Sequence, residues 1–190
     1  QLNALNTLHT KNEYSVLNYD QKSNTFTIDA YDFTTLDKTK TLFNSKNFSE
    51  LEGIDDYSIN KTDDKILIAT NSTPIYRHSF TAVYYLYDIK TNSLTKVSNN
   101  AIQEPLLTAD GSKIAYAFEN NVYDFDVASK KKTQITKDGK KNAIINGITD
   151  WVYEEEFSFV RAFDWNADGT KLAYIKFDES DVPVFSMDIY

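Results

Sequence analysis

The sequence predicts an all-β fold and, within that class, part of a β-propeller. Three observations point there: short β-rich segments follow one another along the chain, polar turns separate them, and one strand–turn–strand pattern recurs. Repeats of roughly 40 to 50 residues made of short strands are typical of propeller blades. A chain of 190 residues has room for about four such blades.

Six short segments have the composition of β-strands. They are rich in Thr, Tyr, Phe, Val and Ile, and long amphipathic helices are hard to find between them. Turn sequences containing Asp-Gly separate several of these segments. The predicted strands are residues 26–30, 65–70, 82–89, 113–118, 122–127 and 171–177, and the clearest turns are residues 109–112, 138–139 and 167–170.

The repeat is clearest where residues 107–116 match residues 164–174, and residues 58–68 form a degenerate copy. The equivalent apolar positions Ile66, Ile114 and Leu172 are 48 and 58 residues apart. A closed ring usually has more than four blades, and an open array leaves strand edges bare. We therefore expect the N-terminal part of a longer propeller. The approximate blades are residues 1–48, 49–99, 100–145 and 146–190.

A run of carboxylates and aromatics lies in the longer of the two intervals, between Asp150 and Phe157. Neighbouring carboxylates converge on a helix or turn, because adjacent side chains of a strand point to opposite faces. Asp150 is a suitable N-cap. The sequence therefore predicts a short helix at about residues 150–157, inserted between two blades.

The predicted helix carries Glu154, Glu155 and Glu156 beside the aromatic residues Trp151 and Tyr153. A solvated charge cluster is one interpretation. Aromatic neighbours favour another, a partly buried platform that holds negative charge towards a cation. Two carboxylates suit an ammonium group, either a free peptide N-terminus or a lysine, and the spacing is not that of a calcium loop.

A second candidate site is Arg77, within the sequence Tyr-Arg-His-Ser-Phe-Thr at residues 76–81. Arginine presents a planar fork of donors that suits carbonyl or carboxylate oxygen. Arg77 could bridge to the acidic run, and a guanidinium held in that way could still direct donors at a substrate. The other arginine, Arg161, is expected to be structural.

Composition excludes several classes of function. The net charge of −8 argues against nucleic acid and anionic membranes as partners, since both attract basic surfaces. The absence of cysteine excludes disulfides and thiol catalysis, and no Gly-x-Ser-x-Gly motif, phosphate-binding glycine loop or histidine-rich metal pattern occurs. We therefore expect no catalytic residue, no metal and no cofactor in this chain, and any chemistry lies elsewhere in the protein.

Three segments resemble the dipeptidyl peptidase IV family. Residues 147–156, Gly-Ile-Thr-Asp-Trp-Val-Tyr-Glu-Glu-Glu, resemble its double-glutamate signature, and residues 76–82 with 86–88 resemble its Trp-Arg-His-Ser-Tyr stretch, with Tyr at position 76. Residues 178–183 resemble the segment that follows its next blade. The resemblance implies an eight-bladed propeller that caps an α/β-hydrolase domain, which this chain lacks.

The resemblance also implies roles for individual residues. The family removes N-terminal dipeptides, X-Pro or X-Ala, and its paired glutamates, which match Glu155 and Glu156, bind the substrate's α-ammonium. Its arginine, which matches Arg77, helps to hold the first peptide carbonyl. Glu154 becomes a supporting residue, as do three neighbours of the glutamates. Those neighbours are Asp150, Trp151 and Tyr153.

Several alternatives stay open at this point. The parent could be a prolyl tripeptidyl peptidase, a family member that has lost its nucleophile and acts as an interaction protein, or a free-standing propeller adaptor. The expected partners are a peptide with a free N-terminus, the protein's own hydrolase domain and possibly a second copy in a homodimer. The resemblance favours export, as a periplasmic, secreted or membrane-anchored ectodomain.

Overall fold

The computed structural model describes residues 5–183, in which β-sheet predominates. Three four-stranded antiparallel sheets are followed by two strand pairs and one short α-helix. Within each four-stranded sheet, strands adjacent in sequence are adjacent in space, so the chain completes one sheet before it enters the next. No helix in this part of the chain is long and apolar enough to cross a membrane.

The first sheet is built around a long hairpin, in which eight residues of one strand pair with eight of the next. The buried carboxylate of this sheet, Asp29, forms an ion pair with Lys38, whose Nζ lies 2.8 Å away. A buried charge requires such a partner. A 3-10 turn at Ser45–Asn47 ends the sheet. Its strands are β1 (Asn6–Thr7), β2 (Glu13–Asp20), β3 (Thr25–Asp32) and β4 (Lys38–Asn44).

The second sheet carries a hairpin that extends beyond its outer strands. Pairing of the two central strands continues to Pro74 opposite Phe80, past an irregularity between Thr70 and Thr73. We call residues 75–79 the hairpin tip. The strands are β5 (Asp56–Ile59), β6 (Lys65–Pro74), β7 (Phe80–Asp88) and β8 (Ser93–Lys96).

The third sheet contains a β-bulge in its first strand. Leu106 pairs with Ala115, and Gln103 pairs with Ala117. The two residues 104 and 105 of the first strand therefore lie opposite the single residue Tyr116 of the next. The strands are β9 (Gln103–Leu107), β10 (Lys113–Phe118), β11 (Asn121–Asp126) and β12 (Lys132–Gln134).

The last strands form two pairs, β13 with β16 and β14 with β15. The predicted single strand at residues 171–177 is wrong, because the chain changes partner at Ile175. The Ile175 N–H donates to Ala162 O, and Gly147 N–H donates to Ile175 O. The elements are β13 (Ile144–Asn146), α1 (Trp151–Phe157), β14 (Phe163–Trp165), β15 (Leu172–Tyr174) and β16 (Lys176–Asp178).

The apolar core lies between consecutive sheets. In β6 the residues Ile66 and Ile68 pack towards the first sheet, whereas Leu67 and Ala69 pack towards the third. Both faces of the strand are therefore buried, which explains its continuous apolar sequence. Strand β10 repeats the arrangement, because Ala115 and Ala117 pack towards the last strands. Sheets stacked in this way make the chain a partial β-propeller.

The three copies of the repeat form the same turn. The N–H of Asn60, Thr108 or Asn166 donates to the carbonyl of the lysine five residues later. The fourth position of each turn has a left-handed backbone, with φ of +54° at Asp63, +70° at Gly111 and +68° at Gly169. Each glycine also lies against the preceding blade. A Cβ on the third turn's glycine would be 2.8 Å from a Thr108 methyl group.

Candidate functional site

The helix α1 stands on a short two-stranded stem that joins it to the fourth group of strands. The N–H of Thr149 donates to Val160 O at 3.0 Å, and the N–H of Ala162 donates to Gly147 O at 2.9 Å. We call residues 147–149 and 159–162 the stem. Gly147 has a φ of +77°, and a Cβ there would be 2.5 Å from Val122, so only glycine fits without strain.

Both ends of α1 are capped. The Asp150 carboxylate accepts from the Tyr153 N–H at 2.8 Å, as predicted for an N-cap. At the other end Ser158 takes a left-handed conformation, and its N–H donates to Glu154 O at 3.0 Å. The helix is only seven residues long, and these caps define where it begins and ends.

Glu154 fastens the helix to the second sheet. Its side chain is enclosed, with 1% of the residue exposed, and Oε1 accepts from the N–H groups of His78 and Ser79 at 2.6 and 2.8 Å. Burial raises the pKa of Glu154, but its interactions with Ser79 and His78, including these two N–H groups, outweigh it and leave the pKa below its ordinary value. Glu154 is therefore an ionised anchor that joins α1 to the hairpin tip.

Arg77 and Glu155 form an ion pair at the same junction. Arg77 Nη2 lies 3.2 Å from Glu155 Oε2. The Glu155 side chain is 18% exposed, whereas the Arg77 side chain is 71% exposed. The pair thus leaves much of the guanidinium open to a ligand. The structure brings these two candidate residues together although they are far apart in sequence.

Glu156 lies beside this pair but does not join it. It is exposed and makes no hydrogen bond or ion pair with the described residues. Consecutive residues of a helix point about 100° apart, so Glu155 and Glu156 present their carboxylates to neighbouring sectors around α1. An ammonium group placed between those sectors could contact both.

The aromatic residues of the run are more exposed than a buried platform requires. Trp151 is 55% exposed and Phe157 is 64% exposed. Tyr153 packs against Phe157, Phe159 and Phe177 but is still 40% exposed. The expectation of a partly buried aromatic platform is therefore wrong for Trp151, because more than half of its surface is exposed, and within α1 only Glu154 is fully covered.

A cleft of about 610 Å³ lies beside the N-terminal end of α1. Trp151 and Tyr76 contribute aromatic surface to its wall, and Asp150 and Glu179 contribute carboxyl groups. Burial raises the pKa of Glu179, and its contact with the Asp150 carboxyl raises it further. The candidate residues of α1 and the hairpin tip thus border one recess.

Sequence reasoning missed two parts of the site. The anchors for Glu154 are backbone N–H groups of His78 and Ser79, and no side-chain pattern reports such donors. Glu104 was also missed, and its Oε2 lies 3.5 Å from Arg161 Nη1. Within residues 5–183 no cluster of His, Asp or Glu has the arrangement of a metal site.

The fold and the site together define a class: a β-propeller segment that presents a short acidic helix beside an arginine. A family model described as the dipeptidyl peptidase IV (DPP IV) N-terminal region matches residues 60–190. The chain belongs to this family, and the family predicted from the sequence is confirmed.

Relatives of known sequence and structure agree with this assignment. Dipeptidyl peptidase 4 of Felis catus is 39% identical over 151 residues, which are 77% of this chain and 20% of the relative. Prolyl endopeptidase FAP of Mus musculus is 35% identical over 138 residues, covering 71% of this chain and 18% of the relative. The chain thus spans about a fifth of the length of these curated relatives.

A solved structure extends the likeness to the first sheet. The crystal structure of Porphyromonas gingivalis dipeptidyl peptidase 4 superposes with a TM-score of 0.90 at 31% identity. The match covers 99% of this chain and 27% of that chain. Residues 5–50, which lie outside the part of the chain that the family model matches, therefore share its fold.

Proposed function

We propose that this chain is the substrate-recognition part of a serine-type exopeptidase that releases X-Pro or X-Ala dipeptides from free peptide N-termini. Glu155 and Glu156 bind the substrate's α-ammonium, and Arg77 contacts the carbonyl oxygen between its first two residues. The observation that carries the proposal is the 3.2 Å contact between Arg77 and Glu155, supported by the buried anchor Glu154. The rest of the protein supplies the nucleophile and its catalytic partners.

The charge balance of the site favours a cationic ligand. Arg77 offsets the charge of Glu155, but Glu156 has no cation beside it among the described residues. An ammonium about 4 Å from one carboxylate gains roughly 4 kcal/mol at an effective dielectric near 20, before the cost of desolvating both groups. A second carboxylate adds to this gain, so both glutamates are needed for tight binding.

A fixed site for the ammonium also explains how an exopeptidase counts residues. If the amino end is held on α1, only one peptide bond reaches the nucleophile at the correct distance. Positioning of this kind lowers the barrier because the entropy of orientation is lost on binding rather than in the reaction. The anchored helix suits this role, since Glu154 and the stem hold it at two places.

The test uses the complete enzyme with Glu155→Gln and Glu156→Gln. Each change keeps the side-chain volume but removes the charge that faces the ammonium. We expect each variant to lose on the order of a hundredfold in kcat/KM for Gly-Pro and Ala-Pro chromogenic substrates, about 2.7 kcal/mol of transition-state stabilisation. The matched control is Glu50→Gln, at an exposed position in the segment that follows the first sheet.

The outcome is decisive in either direction. If both variants retain the kcat/KM of the control, the clamp assignment is refuted. Arg77→Lys provides an independent reading, because lysine keeps the charge but loses the fork of donors. We expect that variant to raise KM for the same substrates.

A second candidate function is prolyl endopeptidase activity. One relative is named a prolyl endopeptidase at 35% identity. An endopeptidase cleaves after proline in peptides whose N-termini are blocked, whereas an ammonium clamp rejects them. Comparing acetyl-Gly-Pro with Gly-Pro substrates distinguishes the two, and efficient cleavage of the acetylated substrate would favour the endopeptidase.

A further inference from the structure

Glu104 adopts a backbone conformation that glutamate normally avoids. Its φ is +53°, in the left-handed region where glycine is favoured. It lies in the bulge of β9, where two residues face Tyr116 of β10. Bulges of this kind change the direction of a side chain, and strained residues that persist are concentrated at functional sites. The conformation therefore needs an explanation beyond sheet pairing.

The bulge brings the Glu104 carboxylate to Arg161. Glu104 Oε2 lies 3.5 Å from Arg161 Nη1, and only 22% of the glutamate side chain is exposed. Its other charged neighbours, Glu154 and Asp56, are both acidic. Burial raises the pKa of Glu104 and Arg161 lowers it, so among these charged neighbours only the arginine favours the ionised form.

Arg161 belongs to the stem of α1. It pairs with Ile148 across the stem, between the hydrogen bonds that join Thr149 to Val160 and Gly147 to Ala162. Arg161 therefore lies at the base of the helix, and a change in its position would move that base. Glu154 ties the helix to the second sheet, and Glu104 of the third sheet lies against the stem through Arg161.

We propose that Glu104 is a positioning residue that acts through Arg161 to hold the stem, and with it Glu155 and Glu156, at a fixed place against the third sheet. This inference rests on the proposed function, because it assigns the support of the same ammonium clamp. The left-handed backbone of the bulge is the means by which the carboxylate reaches the stem. A role in the bulge alone requires the backbone conformation but not the charge.

The experiment separates charge from backbone. In the complete enzyme, Glu104→Asn keeps a residue that tolerates the left-handed region but removes the carboxylate, and Glu104→Gln keeps the side-chain length. The matched control is Lys130→Asn, since Lys130 has a φ of +56° in the turn between β11 and β12 and is exposed. Arg161→Met removes the partner.

We expect both Glu104 variants to raise KM for Gly-Pro substrates about tenfold with kcat within about twofold, because a displaced clamp weakens binding. Amides of residues 150–158 should exchange with solvent faster than in the control, at an unchanged Tm. The double variant Glu104→Asn with Arg161→Met should be no worse than either single change, as residues that act through one contact are not additive.

Two results would overturn the inference. One is a KM and an exchange rate in the Glu104 variants equal to those of Lys130→Asn. The other is a double variant whose loss is the sum of the two single losses. Hydrogen exchange needs no activity, so it still reports on Glu104 if the Glu155 and Glu156 variants refute the clamp itself.

Discussion

The repeat turns and the helix α1 are stabilised in opposite ways. Each turn is closed by local hydrogen bonds: the side chain of Asn60, for example, accepts from the N–H groups of Asp64 and Lys65. The helix instead depends on distant partners, since Glu154 accepts from backbone donors 76 and 75 residues earlier in the chain. The hydrogen bonds that close the turn come from within one blade, whereas the helix α1 is fastened by donors of another sheet.

This difference explains why substitutions in the two regions should have different consequences. A defect in a repeat turn lowers the free energy of unfolding but leaves the site geometry intact in molecules that fold. A defect in the anchors of α1 moves the glutamates relative to Arg77. The following predictions test that contrast, from the largest expected effect to the smallest.

Replacing the anchor should give the largest effect. Glu154→Ala leaves the His78 and Ser79 N–H groups without their acceptor and removes a charged hydrogen bond from an enclosed position. We expect a local loss of about 3 kcal/mol. The amides of both residues should lose protection from hydrogen exchange, and kcat/KM of the complete enzyme should fall. Glu156→Ala is the control and should leave these amides protected. Unaltered protection in Glu154→Ala would contradict the anchoring role.

A change in a repeat turn should affect stability without affecting the site. Gly169→Ala places a Cβ at a φ of +68° and 2.8 Å from a Thr108 methyl group. We expect a loss of about 1–2 kcal/mol in chemical denaturation, with kcat/KM of the folded enzyme unchanged. Gly53→Ala is the matched control, because no atom lies within 4 Å of its added Cβ. A loss of activity in folded Gly169→Ala would contradict the prediction that repeat turns affect stability alone.

The anchor should also persist in acid. The pKa of Glu154 in the folded protein is lower than in the unfolded chain, so its stabilising contribution is complete above the ordinary glutamate pKa. It is lost only as the pH falls through the lowered value. Protection factors of the His78 and Ser79 amides, corrected for intrinsic exchange, should therefore hold at pH 5 and collapse at more acidic pH. Collapse already at pH 5 would show that the carboxylate is not stabilised in this way.

The smallest effect is expected at the edge of the cleft. Glu179 has a raised pKa because of its burial and its contact with Asp150, so ionisation at neutral pH sets two carboxylates against each other. Glu179→Gln should therefore stabilise the protein by about 0.5 kcal/mol at pH 7, the scale of a surface like-charge pair. The gain should vanish in acid, where the group is already protonated. Equal gains at both pH values would point to another cause.

The sequence was sufficient for the features that arise locally. In the turn at residues 108–113, the residues that form the hydrogen bonds are close together in the sequence, so the turn can be recognised there. Asp150 marks the start of α1 because N-capping depends only on residues nearby in the sequence. The strand at residues 171–177 was misjudged because the change of partner at Ile175 is decided by the stem, not by strand propensity. Burial of Glu154 could not be predicted, since its acceptor role uses backbone donors. The roles of Glu155, Glu156 and Arg77, the approximate blade boundaries, homodimer formation and export stay predictions.

The stem has one more consequence. Because backbone hydrogen bonds close it at residues 147–149 and 159–162, the segment between them is a cassette whose length and sequence are not fixed by the pairing of any blade. Three side chains join its interior to the rest of the fold: Glu154 through the hairpin tip, Glu155 through Arg77, and Tyr153 through Phe177. A designer who keeps those contacts and the two ends of the stem could exchange the remaining residues of the cassette without changing the pairing of any blade.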